Sequence, residues 1–215
     1  MIIPVLAVLL AAAQLEFKRP PPPQPSPAET QPAANLSDDE IRDRIETYLG
    51  TIDTPIRIEQ WRALGPRAAP FIEAIVTSRK NLPSRRAQAI DGLSAVGGST
   101  APAVLTGLSR GEDEPLVVRL SAVRGLGRMV KGAKLAAALK PVLVGAKDAR
   151  VRGLAAQTLA EHAHKQSCGA VKAQALREDD EAREHYQSAL ARCGVALDGA
   201  APPTTATPAP ADGPR

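Results

Sequence analysis

Apolar residues recur at helical spacing between residues 36 and 197. Ser37 and Glu40 have the form of a capping box, and Ile41, Ile45 and Leu49 follow at intervals of four residues. This pattern predicts an amphipathic helix that begins near residue 38. The later apolar segments are short, and breaks that contain Gly or Pro separate them at 65–66, 97–98, 111–115 and 145–148. The spacing therefore predicts one all-α domain over residues 36–197.

An arginine recurs in five copies along this domain, and a leucine follows each arginine by seven residues. The pairs are Arg57 with Leu64, Arg86 with Leu93, Arg119 with Leu126, Arg152 with Leu159, and Arg183 with Leu190. Successive arginines are 29, 33, 33 and 31 residues apart. The residues that flank each leucine are small, so that a neighbouring helix can pack closely against it. Positions four and seven after the arginine share one helix face, which predicts that the leucines point into the core.

Second helices are predicted between the arginine helices, over 66–76, 101–108, 134–144 and 168–176. Each unit is then a helical hairpin of about 30 residues, and units of this kind must stack because one hairpin cannot bury its own apolar face. Three copies carry an aspartate four residues before the arginine, namely Asp53, Asp148 and Asp179. We expect each of these to cap its helix and to pair with the arginine one turn further on.

Two of the copies resemble the HEAT repeat family in its short form. They are Val118–Gly127 and Asp148–Leu159, which look like that family's Asp-x-x-Val-Arg-x-x-Ala-x-x-x-Leu-Gly helix. The resemblance covers most of residues 52–193 and implies a right-handed α-solenoid of about five stacked hairpins, with the second helices on its concave side. Trp61–Gly65 also resembles the start of a tetratricopeptide repeat, but it occurs once and Pro66 interrupts the helix.

Both ends of the chain differ from this domain in composition. Residues 1–13 have no charged side chain and run from an apolar stretch into Ala11–Ala13, which predicts a signal peptide. Residues 14–35 contain a Pro-rich run and are predicted to be a linker, and residues 198–215 are predicted to be a disordered tail. We therefore expect a periplasmic or secreted protein, which is tethered to the membrane only if the signal segment is retained.

Export changes what is expected of the two cysteines. Outside a reducing cytosol Cys168 and Cys193 can form a disulfide, and we place them at the start of one short helix and the end of the next, where an antiparallel hairpin brings them together. His162, His164 and His185 are near in sequence, so ligand type alone permits a zinc site. The spacing fits no common zinc pattern and an oxidised pair does not ligate, so we predict solvent-facing histidines and no metal.

Charge concentrates in the middle of the domain. The chain has a net charge of +4, and residues 117–152 contain a run of basic residues with a single acid. A binding surface is predicted at Arg124, Arg128, Lys131, Lys134 and Lys140. The first three follow i, i+4, i+7 spacing and share one helix face. The alternative interpretation is a solvated helix face, with structural roles for Arg119 and Arg152.

Composition and motifs favour binding over catalysis. Apolar residues make up 44% of the chain but aromatic residues only 2%, so the core must consist of small and aliphatic side chains. No hydrolase, metalloprotease, phosphate-loop or dinucleotide motif occurs, and the acidic runs at 112–114 and 178–181 are interpreted as helix caps.

The favoured function is therefore an exported scaffold without catalysis or cofactor. Its expected partner is another protein, an acidic one included, or an anionic envelope component, and not a nucleic acid. Two alternatives remain. One is a HEAT-like enzyme of the bilin lyase or alkyl-purine DNA glycosylase kind, and the other is a structural spacer.

Overall fold

The computed structural model describes residues 36–51 and 56–195. Every regular element in these two ranges is a helix, which confirms the predicted all-α class. The predicted signal peptide (1–13), linker (14–35) and tail (198–215), and the proposed cap Asp53, lie outside the described residues. Within the described ranges, no helix has the length and apolar character needed to cross a membrane.

The helices follow one another with short connections. They are α1 (Asp38–Gly50), α2 (Ile58–Arg62), a 3₁₀ turn (Pro66–Ala68), α3 (Ala69–Thr77), α4 (Pro83–Val96), α5 (Ala101–Arg110), α6 (Leu116–Met129), α7 (Gly132–Gly145), α8 (Ala149–His162), α9 (His164–Ala175), α10 (Asp180–Arg183), a 3₁₀ turn (Glu184–Tyr186) and α11 (Gln187–Arg192). Helix α1 begins with the predicted capping box. The backbone N–H of Glu40 donates to Ser37 Oγ at 3.2 Å, and the N–H of Ser37 donates to the Glu40 carboxylate at 2.7 Å.

The helices after α1 pack in two neighbouring layers. In one layer α2, α4, α6, α8 and α11 each contact the next helix of that series, and in the other layer α3, α5, α7 and α9 do so. The pairs α3–α4, α5–α6 and α7–α8 connect the layers. The first layer thus contains α4, α6 and α8, which carry Arg86, Arg119 and Arg152, and the predicted second helices form the other layer. The second helices α5, α7 and α9 are each longer than the sequence pattern predicts.

The repeated leucines lie in the core that the two layers share. Each of the five is at most 1% exposed, namely Leu64, Leu93, Leu126, Leu159 and Leu190. They belong to one contiguous cluster of buried side chains that extends from Leu36 to Leu190. Full burial of a leucine side chain contributes about 1.5–3 kcal/mol relative to exposure, so each of these positions stabilises the core by about that amount.

Most of the repeated arginines donate hydrogen bonds to carbonyls at the end of the preceding second helix. In three copies the guanidinium donates to a backbone carbonyl at such an end: Arg86 Nε to Val76 at 2.8 Å, an Arg152 terminal nitrogen to Ala146 at 2.7 Å, and Arg183 Nε to Ala175 at 3.3 Å. The last carbonyls of a helix have no intrahelical donor, so the arginine of the next helix supplies one. Arg119 instead pairs with Glu112 at 2.6 Å.

Several local predictions in the first, fourth and fifth copies are wrong. Arg57 is exposed and is the N-cap residue of α2, so it is not part of the helix. Helix α2 is only five residues long and ends before Gly65 and Pro66. Asp148 and Asp179 do cap their helices, as predicted. Their predicted arginine partners differ, however, since Asp148 pairs with Arg150, and Arg183 pairs with Asp180.

Gly127 and Gly153 are among the glycines at which a neighbouring element lies too close to admit a side chain. A Cβ on Gly127 would lie 2.5 Å from the Thr158 side chain on α8. A Cβ on Gly153 would lie 2.3 Å from His185 Cβ and 3.0 Å from the His185 backbone oxygen. The first clash involves a side chain, but the second involves backbone, so that α8 and the Glu184–Tyr186 turn would have to separate to admit even a methyl group.

Gly153→Ala should therefore destabilise the protein by roughly 1–3 kcal/mol, because the added methyl overpacks a rigid contact. The matched control is Gly169→Ala, since Gly169 is helical, exposed, and has nothing within 4 Å of the added Cβ. This control should be neutral or stabilise by up to about 1 kcal/mol through helix propensity. Urea unfolding followed by circular dichroism measures both. Equal effects of the two substitutions would contradict the close approach of α8.

Candidate functional site

Four of the nine basic residues between 119 and 152 are used in ion pairs. The pairs are Arg119–Glu112, Arg128–Asp91, Arg150–Asp148 and Arg152–Glu178. Arg119 and Arg152, for which a structural role was predicted, are thus both paired, and Arg128 and Arg150 are paired as well. The charge available to a partner comes from the remaining residues of the run.

Within the predicted surface, the three residues around α6 have contacts of their own. Arg128 bridges from α6 to Asp91 on α4, and Arg124 donates to Ser121 Oγ at 3.0 Å. The Lys131 ammonium donates to the carbonyl of Gly127 and so caps the end of α6. These three side chains thus support the helix as well as charging its surface.

Two lysines on α7 are different. Lys134 and Lys140 are exposed, and neither has a carboxylate partner among the residues the structure describes. An ammonium group without a counter-charge keeps its full attraction for an anion, reduced only by salt screening. Lys134 and Lys140 are therefore the strongest candidates for contact with a negatively charged partner.

Lys131 and Lys134 also line an open cleft of about 650 Å³ between α5, α6 and α7. The other lining residues are mostly apolar, namely Pro102, Ala103, Thr106, Leu126, Met129, Val130 and Ala138. Sequence spacing predicted the lysines but not the cleft, because its walls come from three helices. The cleft combines apolar surface with positive charge, which suits a ligand that carries both apolar and acidic groups.

One wall of the cleft is held by an arginine that compensates for a proline. Pro141 lies inside α7 and cannot donate to the carbonyl of Ala137, four residues earlier. Arg110, at the end of α5, donates to the carbonyls of Ala137 and Ala138 at 3.3 and 3.1 Å. This contact replaces the missing donor and fixes α7 against α5, so it sets the position of Lys134 relative to the cleft.

Comparison with known proteins matches no family model, no curated protein and no solved structure. The HEAT resemblance thus remains an interpretation of the sequence pattern. What the chain binds must be argued from the cleft and its charges.

The aromatic residues of the described ranges pack in or against the core, and none of them lines the cleft. Trp61 and Tyr48 pack edge to face with their ring centroids 5.1 Å apart, and Tyr186 is fully buried. Phe71 lies beneath the Arg42 guanidinium at 4.4 Å. A planar ligand in this cleft would therefore contact aliphatic side chains and no aromatic ring of the described chain.

The structure joins Cys168 and Cys193 in a disulfide with their Cα atoms 5.5 Å apart. The sequence predicted that Cys168 begins a helix. In the structure it lies one turn inside α9, which starts at His164. His164 is next to the disulfide, whereas His162 is half-buried against Gly127 and so does not face solvent as expected. Burial is the first cause that lowers the pKa of His162, and nearby Lys131 is the second.

The acidic runs are not simple caps. Glu114 lies 2.7 Å from Arg86 and 3.2 Å from Arg79, so it connects neighbouring hairpins. Glu178 is only 7% exposed and accepts from Arg152, from Gln174 at 2.9 Å and from Tyr186 Oη at 2.9 Å. In the second run the prediction holds in part: Asp179 caps α10 by accepting from the N–H of Ala182, and Asp180 and Glu181 lie in the first turn of that helix. The repeat arginines could have predicted these ion pairs, because a buried guanidinium needs an acidic partner.

The Glu178 carboxylate is a structural anchor and a poor catalytic acid. Its hydrogen bond from Arg152 is the main cause that lowers its pKa to about 2, and burial opposes this effect more weakly. Burial, and then the contact with Glu178, raise the pKa of Tyr186. A carboxylate that stays ionised and fully hydrogen-bonded has no proton to give near neutral pH.

Acid should weaken the fold through Glu178. Its folded pKa lies below its ordinary value of 4.5, so its stabilisation is complete above about pH 5 and is lost as the pH falls towards 2. The expected loss is roughly 2–3 kcal/mol. Glu178→Gln should be less stable than the wild type at pH 7. In urea titrations it should also lose less stability than the wild type between pH 5 and pH 3. Glu181→Gln, at an exposed site, is the control and should follow the wild type.

A double-mutant cycle tests the role of Arg110. Arg110→Ala should cost about 1 kcal/mol, because it leaves the carbonyl of Ala137 without a donor. In a Pro141→Ala background the restored N–H serves that carbonyl, so the same substitution should cost less by about 0.5 kcal/mol or more. Thermal or urea unfolding of the four proteins gives the coupling. Strict additivity would show that Arg110 and Pro141 act independently.

Proposed function

We propose that this protein is an exported, HEAT-like helical scaffold whose cleft between α5, α6 and α7 binds an acidic segment of another protein. The observation that carries the proposal is the apolar cleft bordered by lysines that have no carboxylate partner in the described chain. Catalysis plays no part in it.

The scaffold architecture is supported by the agreement between the sequence repeat and the packing. The arginine helices contact each other in chain order, and so do the second helices, as in a solenoid of stacked hairpins. Repeat proteins of this kind present a surface formed by several successive units. The cleft has this property, because α5, α6 and α7 belong to two successive copies of the repeat.

An acidic protein segment fits the cleft better than the other anions considered. Apolar walls gain affinity by burying apolar side chains, at roughly 25 cal/mol per Å², and only a ligand with such side chains can use them. The lysines then select for negative charge and increase the association rate. A nucleic acid would need stacking surfaces, and an anionic membrane would use the lysines but not the walls of the cleft.

Export is supported by two features of different kinds. The disulfide between Cys168 and Cys193 is compatible with an oxidising compartment, and residues 1–13 have the pattern of a signal peptide. We therefore propose that the mature protein begins near Gln14 and is periplasmic or secreted. Amino-terminal sequencing and the intact mass of the native protein test this proposal directly.

Charge reversal at the cleft tests the binding site. A labelled peptide rich in Glu and Leu should bind the full chain at low salt, and Lys131→Glu with Lys134→Glu, the two lysines that line the cleft, should weaken that binding by about tenfold or more, as expected for the loss of about 1.4 kcal/mol. Fluorescence anisotropy measures the dissociation constants. The control is Lys80→Glu with Lys172→Glu, which changes the net charge equally at exposed sites away from the cleft.

Three outcomes would contradict the proposal. An equal loss in the control would show that net charge alone acts. Binding of vesicles with anionic lipid, but not of the peptide, would identify a membrane as the partner. The absence of saturable binding to any of these probes would favour a structural spacer.

A further inference from the structure

The end of the described chain places three metal-ligating side chains together. A ring nitrogen of His164 and the sulfur atoms of Cys168 and Cys193 all lie within 4.8 Å of one another. His164 and Cys168 are one turn apart on α9, so they share a helix face, and Cys193 follows α11. His164 is exposed and both cysteines are partly exposed, so the cluster is open to small solutes.

A backbone contact orients the histidine. His164 Nε2 lies 3.0 Å from the carbonyl oxygen of Arg192, the residue directly before Cys193. A carbonyl only accepts, so in the neutral ring Nε2 carries the proton and donates, which leaves the lone pair on Nδ1. Histidines that ligate metals commonly donate their second ring N–H in this way, and the contact fixes both the tautomer and the ring orientation.

We propose that this cluster is a redox-dependent metal site. With the disulfide formed, the site holds no metal. When the disulfide is reduced, His164, Cys168 and Cys193 bind a thiophilic divalent cation such as Zn²⁺, with water as the fourth ligand. The proposal is independent of the cleft and of its occupant.

The chemistry balances with a dithiol as the reductant. A dithiol gives two electrons and two protons to the Cys168–Cys193 disulfide, whose S–S bond breaks to give two thiols, and the dithiol itself becomes a disulfide. Zn²⁺ then displaces the two thiol protons to solvent as both sulfurs coordinate as thiolates. Reoxidation to the disulfide releases the metal, so that the cation and the disulfide exclude each other.

The required rearrangement is small. In a tetrahedral zinc site with Zn–S distances near 2.3 Å, two sulfur ligands are about 3.8 Å apart, so the sulfurs must separate by roughly 2 Å after reduction. Rotation of the Cys193 side chain can supply this movement, since that residue lies after the last turn of α11.

The test uses the full chain and Zn²⁺ alone. The protein is reduced with a phosphine under argon and then titrated against a chromophoric zinc chelator, with the oxidised protein in parallel. We expect the reduced chain to bind one Zn²⁺ per chain in competition with the chelator, and the oxidised chain not to compete. X-ray absorption at the zinc edge should show two sulfur ligands and one nitrogen ligand.

Substitution separates ligation from folding. His164→Ala should still form the disulfide, because the residue is exposed, but its reduced form should bind Zn²⁺ at least tenfold more weakly. The control His185→Ala, also at an exposed histidine, should bind as the wild type does. The proposal is wrong if the reduced wild type fails to bind, if the oxidised chain binds equally, or if His164→Ala binds with unchanged affinity.

Discussion

The helix ends where the two layers meet impose the strictest constraint on this fold. A carbonyl at the end of a second helix lies beside buried residues, where water cannot serve as its donor. Val76 and Ala175 are fully buried and Ala146 is 5% exposed. The arginine of the next helix supplies the donor, and an acid from a connecting loop neutralises that arginine. Removing one member of such a buried set leaves the others without partners, which typically costs about 3–5 kcal/mol.

The sequence predicts well which apolar residues of the repeat are buried. The seven-residue interval from arginine to leucine reflects helical periodicity, so that the burial of Leu93, Leu126 and Leu159 follows from local geometry. The small residues beside these leucines likewise predict the close helix approach seen at Gly127. Such features depend on positions within one turn or two of each other, and a single sequence contains that information.

The polar contacts could not be predicted in the same way. Arg86 meets Glu114, and Arg152 meets Glu178, across a complete hairpin, and no short-range spacing indicates these pairings. Asp148 was predicted to pair with Arg152, one turn further on. It pairs instead with Arg150, which lies nearer to the helix cap in sequence. The same reasoning explains the basic run. Within this run the repeat arginines Arg119 and Arg152 are neutralised, and positive charge is left on Lys134, which lies outside the repeat register.

The distribution of aromatic and sulfur-containing residues has a consequence for how unfolding can be observed. Trp61, the single tryptophan, packs in α2 against Gly92 of α4 and against Tyr48 of α1, so its fluorescence reports on the first helices of the domain. The disulfide links α9 to the end of α11, so thiol reactivity reports on the last helices. Stacked repeats interact mainly with their nearest neighbours, and their opposite ends can open separately. The natural chain therefore carries an optical reporter at one end and a chemical reporter at the other, and the cooperativity between them is measurable without any added label.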